Sequence, residues 1–351
     1  MSDSFTSSEA VTVIGGGILG LCCAWECLRR GAKVRLIEAA AIGAGSSGGH
    51  VGALAPHAPE NWNDKKAFQL DSLLMAGDFW AGIGKASGLP TGYARSGRLQ
   101  PVEDEQTAER LRDRIAASKQ RWPEGMGMRL TARPGVALFP ASPSGIWLRD
   151  GLTARINPRA ALAALAAAIR AEGGEILEHS PTRPPDLSGT VLWATGTPGL
   201  EMLSRDLDRP VGKGIKGQSA LLRYDAAGMP QIFAHGVHIV PHDDGTVAVG
   251  STSENEYAHC ETDARLDEII AQARDICPEL ASAPVLDRWA GLRPRARSRA
   301  PLLGPWPGRA GHFVANGGFK IGFGMAPKIA FVMADLILEN HDRIPDGFRL
   351  I

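Results

Sequence analysis

Gly15, Gly17 and Gly20 fall in the spacing G-x-G-x-x-G, and Glu38 follows further on. Residue types in this order can hold a dinucleotide, and each has its own task. Gly15 permits a tight turn, Gly17 lets a pyrophosphate approach the backbone, and Gly20 lets a helix pack on a strand. Ile18 opens that helix, whose free N–H groups and positive dipole end suit phosphate. Glu38 can accept hydrogen bonds from a ribose diol. The elements that must position them are legible too. Val11 to Ile14 reads as a buried strand, a helix runs to Arg30 and stops at Gly31, and Lys33 to Ile37 reads as a second strand ending at Glu38. A glycine-rich β–α turn without ligand would carry the same glycines. Strand, helix, strand and terminal acid together favour dinucleotide binding, without separating NAD from FAD.

Other stretches carry candidate chemistry. Between Gly43 and Gly52 five glycines surround Ser46, Ser47 and His50, a loop whose backbone can approach a ligand, or else a flexible linker. Thr190 to Trp193 reads as a strand ending in Ala194-Thr195-Gly196, and Glu175 to His179 as another. Asp243-Asp244-Gly245 between two alternating apolar runs signals a hairpin, with His238 and Val240 on one strand face. His238 is a pocket residue or a stacked surface histidine. WAGLRP, residues 289 to 294, is apolar and strand-like around Arg293. After it Arg295, Arg297 and Arg299 alternate, and period 2 places them on one face with Arg293, as a solvated edge or against a second anionic group. The close has a strand from His312, a turn through Gly318, Phe319, Lys320, Ile321 and Gly322, and a helix expected from about Met325 with Pro327 in its first turn.

Composition narrows the class. A chain of 351 residues buries a large core and suits two domains. Lys+Arg and Asp+Glu both total 38, so no global charge points to nucleic acid. No apolar run approaches the ~20 residues of a membrane span, and MSDSFTSSEA is no secretory signal. The five cysteines form no C-x-x-C pair, and no metal site is read. Cys22, Cys23 and Cys27 suit small buried roles on the first helix, and a reducing cytoplasmic setting is expected.

These motifs together resemble the D-amino acid oxidase superfamily of FAD-dependent oxidoreductases, which includes glycine oxidase, D-amino acid dehydrogenase and sarcosine oxidase. The likeness runs through the β–α–β unit, the loop at 43 to 56, ATG, the hairpin, WAGLRP and GFKIG. It implies an α/β fold: a discontinuous Rossmann-like FAD-binding domain (about 1–82, 150–212 and 300–351) and an α+β substrate domain on an antiparallel sheet (about 83–149 and 213–299). It also implies non-covalent FAD, contacted by the glycine motif and Glu38, by Ser46, Ser47, His50 and Gly52, by Thr182, Ala194, Thr195 and Gly196, and by Gly318, Phe319, Ile321 and Gly322. Arg293 and Lys320 would hold the substrate carboxylate, with His238 where glycine oxidase has a substrate-facing tyrosine.

The implied reaction oxidises the amine carbon of an amino acid or N-substituted amino acid. Hydride passes to flavin N5, and the imine hydrolyses to an oxo acid. The acceptor would be oxygen, a quinone or a partner protein. Four departures stand out. His50 replaces an asparagine, as a flavin-edge bond, a covalent flavin link or a tolerated loop histidine. Gly291 lies where sarcosine oxidases carry a flavin-linked cysteine. PTRPPDLSG leaves no room for the usual β-meander, which opens the alternative of a subunit in a hetero-oligomeric dehydrogenase. Loss of turnover would leave a flavin-binding interaction protein, and a homo-oligomer remains open.

Overall fold

The computed structural model of the chain describes residues 10–132, 134–182, 187 and 189–350. Its β–α–β unit consists of β1 (Ala10–Ile14), α1 (Ile18–Arg29) and β2 (Lys33–Ile37). β1 lies between parallel β2 and β9 (Thr190–Trp193). With β8 (Glu175–Leu177), β15 (Leu302–Pro305) and β16 (His312–Asn316) they build a six-stranded sheet, ordered β15-β16-β9-β1-β2-β8. Every residue of α1 from Ile18 to Cys27 is buried, because the helix is sandwiched by α4 (Pro158–Ala171) and α7 (Gly322–Glu339). Asn157 caps α4 at the Ala160 N–H, with Pro158 at its first turn. Burial pushes the Cys22, Cys23 and Cys27 thiols up, leaving them inert core side chains as expected.

The second sheet has eight strands: β4 (Arg98–Pro101), β5 (Arg129–Thr131), β6 (Trp147–Asp150), β10 (Gly212–Arg223), β11 (Gln231–Ala234), β12 (Val237–Pro241), β13 (Thr246–Gly250) and β14 (Val285–Ala296). Their order is β14-β10-β13-β12-β11-β4-β6-β5, and the Asp243–Gly245 turn joins β12 to β13 antiparallel. One face is covered by α6 (Ala264–Ile276), whose Leu266, Ile270 and Ala273 pack with Ala220, Ile239 and Val249. The other face carries a crosswise row. Ser219 pairs with Trp289 on one side and Gly250 on the other, Gly250 with His238, and His238 with Phe233. The remaining elements are β3 (Ala53–Leu54), α2 (Asp64–Ser87), α3 (Glu105–Arg121), β7 (Ala154–Arg155) and α5 (Gly196–Asp206).

Two expectations change. α7 starts at Gly322, not near Met325, so Pro327 lies inside the helix instead of in its first turn. Gly322 and Gly324 read as turn residues, yet a helix accepts them where it packs closely: a Cβ at 324 would already touch Leu73 and Leu54. The alternating arginines do not share one strand face. β14 ends at Ala296, Arg299 has φ of 58°, and Arg297 and Arg299 are exposed on a turn. Arg295 alone stays on the strand, donating to Asn255 Oδ1 at 2.9 Å and lying over the Phe319 ring. Residue 82 falls within α2. The shortened meander involves residues 183–186 and 188, which lie outside the described ones.

Candidate active site

A cavity of about 770 Å³ opens between the ends of the two sheets. At its nucleotide end, Gly15 has φ of 111°, and a Cβ there would sit 2.5 Å from the Ala194 carbonyl oxygen. A Cβ at Gly20 would run into the Gly15 carbonyl, so Gly20 supports the turn from behind and does not line the cavity. Gly17 and Ile18 do line it, and the Ile18 N–H donates to Ser47 Oγ at 3.0 Å. Glu38 is fixed at the edge, accepting from Gly16 N–H at 2.6 Å and from Ala40 N–H at 2.9 Å. Ser46, Gly52 and Thr182 complete this wall, Gly52 with φ of 60° against Ile156, and His50 stands where the loop meets β10 at Ser219.

Opposite, Ala194, Thr195 and Gly196 head α5, and Gly318, Phe319 and Gly322 lead into α7. Ile321 does not face the cavity as expected; its side chain packs into the apolar core and its backbone caps α7. Three helices (α1, α5 and α7) thus begin at the cavity, none with an acid in its first turn. Their N–H groups and dipoles favour negative charge. Thr195 Oγ1 is buried without a partner among the described residues. Glycines that leave room for backbone approach, a fixed carboxylate and an orphaned hydroxyl fit a dinucleotide cofactor.

At the sheet end stand Arg293, Lys320 and His238. Arg293 is 9% exposed and donates from Nη1 to the Thr252 carbonyl at 2.9 Å. Its guanidinium lies over Gly217, where any Cβ would occupy the same space. Burial lowers its pKa to about 10, with Glu254 opposing, so it is charged at neutral pH. Lys320 reaches over the Phe319 ring, and burial followed by the Arg293 charge lowers its pKa. Among the described residues neither cation has a carboxylate within ion-pair distance. Anion binding is what such a pair can do. His238 lies against Phe233 with ring centroids 4.6 Å apart, and its buried Nδ1 has no partner among the described residues. Burial, then Arg98, Lys320 and Arg293, lower its pKa to about 3, which keeps it neutral.

His50 is 3% exposed, and both ring nitrogens are engaged: Nδ1 with Ser219 Oγ and Nε2 with Asp287 Oδ2, each at 3.2 Å. A Cβ at Gly49 would come within 3.0 Å of the Trp289 indole, and one at Gly291 would collide with it. Sequence reasoning missed Gly217, Ser219, Asp287, Trp289 and Phe233. Only WAGLRP gave a hint, for Trp289.

Five histidines (His50, His57, His238, His242 and His312) have pKa values lowered chiefly by burial. The unfolded chain protonates each below about pH 6.5 while the fold does not. Their stability contribution is therefore complete above that pH and is lost as pH falls toward the folded values. For His238 alone the loss between pH 7 and pH 5 is ~2 kcal/mol. Thermal melts should show Tm falling over this window, and His238→Phe should flatten the dependence. An unchanged slope in that variant would contradict the buried neutral histidine.

A dinucleotide site opening onto an anion-binding pocket, on a sheet that is antiparallel except where β4 runs parallel to β11, suits an oxidoreductase that works on an anionic substrate with a dinucleotide cofactor. The family model described as DAO, FAD dependent oxidoreductase, matches residues 10–336. The chain belongs to this family, and FAD is its cofactor. It is 27% identical over 352 residues to a glycine oxidase of Pseudomonas putida, covering 94% of each chain. Its fold is similar to that of a glycine oxidase from Geobacillus kaustophilus, with TM-score 0.84, 20% identity and coverage of 98% of this chain and 99% of that one. An iminodiacetate oxidase from Chelativorans gives TM-score 0.82 at 21% identity, covering 97% of this chain and 98% of that one. The protein is thus an FAD-dependent oxidoreductase of the amino acid oxidase type.

Proposed function

We propose that the protein oxidises the amine carbon of an amino acid or N-substituted amino acid to an imine, which hydrolyses to an oxo acid. The observation that carries this is Arg293: buried, charged and without an acid partner among the described residues, it faces the FAD cavity beside Lys320. In this reading Arg293 and Lys320 grip the substrate carboxylate and turn Cα toward the flavin. FAD, held by the glycine turn, Glu38 and the N-termini of α1, α5 and α7, supplies the acceptor for the hydrogen and electrons leaving Cα. His238 offers Nδ1 to a neutral or donor group of the substrate and adds no charge. The six-stranded sheet draws only on segments 1–82, 150–212 and 300–351, which supports their assignment as the FAD-binding domain, with 83–149 and 213–299 as the substrate domain. Among the described residues no helix is long and apolar enough to cross a membrane.

The test is anaerobic bleaching of the bound flavin by a panel of amines and amino acids. Compounds bearing a second polar or anionic group, such as acidic, hydroxylated or N-carboxyalkyl amino acids, should bleach faster than glycine, alanine or sarcosine. Arg297 and Arg299 turn away and Lys320 serves the first carboxylate, so this rests on Nδ1 of His238, which has no partner among the described residues and which a small uncharged side chain leaves unpaired. Glycine outrunning every substituted candidate would remove the second group. No bleaching by any amino compound would leave the flavin-binding interaction protein.

The FAD is held without a covalent bond. Gly291 is roofed by Trp289, and both nitrogens of His50 are engaged within the protein, which supports this. Acid precipitation should release the yellow chromophore to the supernatant; colour that stays in the pellet contradicts it.

A further inference from the structure

An amino acid reaches the site as a zwitterion, yet Cα can release hydride only when the nitrogen holds a lone pair. One proton must therefore leave the ammonium group first. The titratable side chains among the described lining residues are Glu38, His50, His238, Arg293 and Lys320. Glu38 belongs to the nucleotide end and is held there by two backbone N–H groups. Arg293 and Lys320 are cations, and His238 lies among cations that oppose a further charge. His50 alone is joined to a carboxylate that reaches solvent. Ser219 lines the cavity, and its Oγ meets His50 Nδ1 at 3.2 Å. His50 Nε2 meets Asp287 Oδ2 at 3.2 Å, and the Asp287 side chain is 42% exposed.

We infer that Ser219, His50 and Asp287 form a proton path that carries the ammonium proton of the substrate out of the cavity before oxidation. The inference rests on the proposed amine oxidation. Ser219 Oγ takes the proton and passes its own hydrogen to His50 Nδ1, His50 gives its Nε2 hydrogen to Asp287, and Asp287 gives a proton to water. One proton enters and one leaves; nothing is oxidised or reduced. The starting tautomer of His50 returns when a proton travels inward over the same atoms, as reoxidation of the reduced cofactor by the acceptor would require.

The groups around His50 suit this use. Arg159, from α4, donates to Asp287 Oδ2 at 2.7 Å and to the Gly48 carbonyl at 2.9 Å. It keeps Asp287 ionised, and its charge together with burial keeps His50 neutral, with Asp287 opposing. His242, at the end of β12, donates from Nε2 to the His50 carbonyl at 3.0 Å and holds the loop backbone.

Two measurements on the holoenzyme test the path. The first uses 2-aminoisobutyrate, which has no Cα–H and cannot be oxidised. Stopped-flow mixing follows ligand binding by the flavin spectrum and proton release by an indicator dye. In wild type the proton should appear with binding. In His50→Gln and Ser219→Ala binding should be retained while proton release lags at least 10-fold. The second is anaerobic bleaching by the best substrate of the panel. His50→Gln should slow it roughly 100-fold near neutral pH, a typical loss of proton-transfer catalysis. The gap should close as rising pH deprotonates the free amine. Asp287→Asn should move both readouts the same way, so the result does not depend on one variant folding. Proton release in step with binding in both Ser219→Ala and Asp287→Asn, or a deficit that does not shrink at high pH, overturns the path. If 2-aminoisobutyrate leaves the wild-type flavin spectrum unmoved and no amine bleaches it, the amine-oxidation reading fails instead.

Discussion

Exchange of Arg293 for methionine should leave a yellow, folded protein whose KM for its amino acid rises roughly 30-fold or more. That is the ~2–5 kcal/mol typical of truncating one partner of a buried charged hydrogen bond. The fold should survive because no acid among the described residues forms an ion pair with this cation. The Thr252 carbonyl loses a donor, but Glu254 keeps Gln218, Thr252 and Arg265 as hydrogen-bonding partners. Methionine also replaces much of the apolar stem. Arg293→Lys keeps the charge and loses the planar pair of donors, so its penalty should be the smaller ~1.5–3 kcal/mol. Titration of the flavin spectrum with the substrate and with its carboxamide separates the contributions. The carboxamide should bind wild type and variant alike. A variant that binds the acid as tightly as wild type would show that the carboxylate lies elsewhere.

The nucleotide half of the site was open to sequence reasoning because its demands are local. Gly15, Gly17 and Gly20 serve one turn between adjacent elements, and Glu38 ends the strand that follows. Arg293 was legible for a similar reason, being the charged residue in an apolar strand with a family likeness. The errors came where tertiary packing overrides local preference. Gly322 and Gly324 look like breakers, yet α7 takes Gly322 against Ile18 and Gly324 against Leu54 and Leu73. The arginine alternation assumed that the strand continues, and the turn after Ala296 ends it. The floor of the cavity was hidden for a deeper reason. Trp289, Ser219, Gly250, His238 and Phe233 lie in one row only once four neighbouring strand pairings are in register. Likewise His50 gained a meaning only when β10 and β14 brought Ser219 and Asp287 to its two nitrogens.

Gly217 shows the same dependence and yields the second large effect. It pairs with Gly291, while its neighbour Ile215 pairs with Arg293, so Gly217 lies diagonally beneath the arginine on one face of β10. Lys216 and Gln218 point the other way and join Asp263 and Glu254. A methyl group at 217 would occupy the place of the guanidinium, which is the far end of a flexible side chain and not backbone. The strand can therefore persist while Arg293 is turned out of its position. Gly217→Ala should keep the FAD and the spectrum, and should raise KM for the carboxylate substrate by roughly 10- to 100-fold, approaching the loss in Arg293→Met. The double variant Gly217→Ala/Arg293→Met supplies the decisive comparison. If the methyl acts only by displacing the arginine, it costs almost nothing once the arginine is gone, and the two penalties fail to add. Additive penalties would mean that Gly217 serves the flavin or the sheet directly, and the seat assigned to the guanidinium would be wrong.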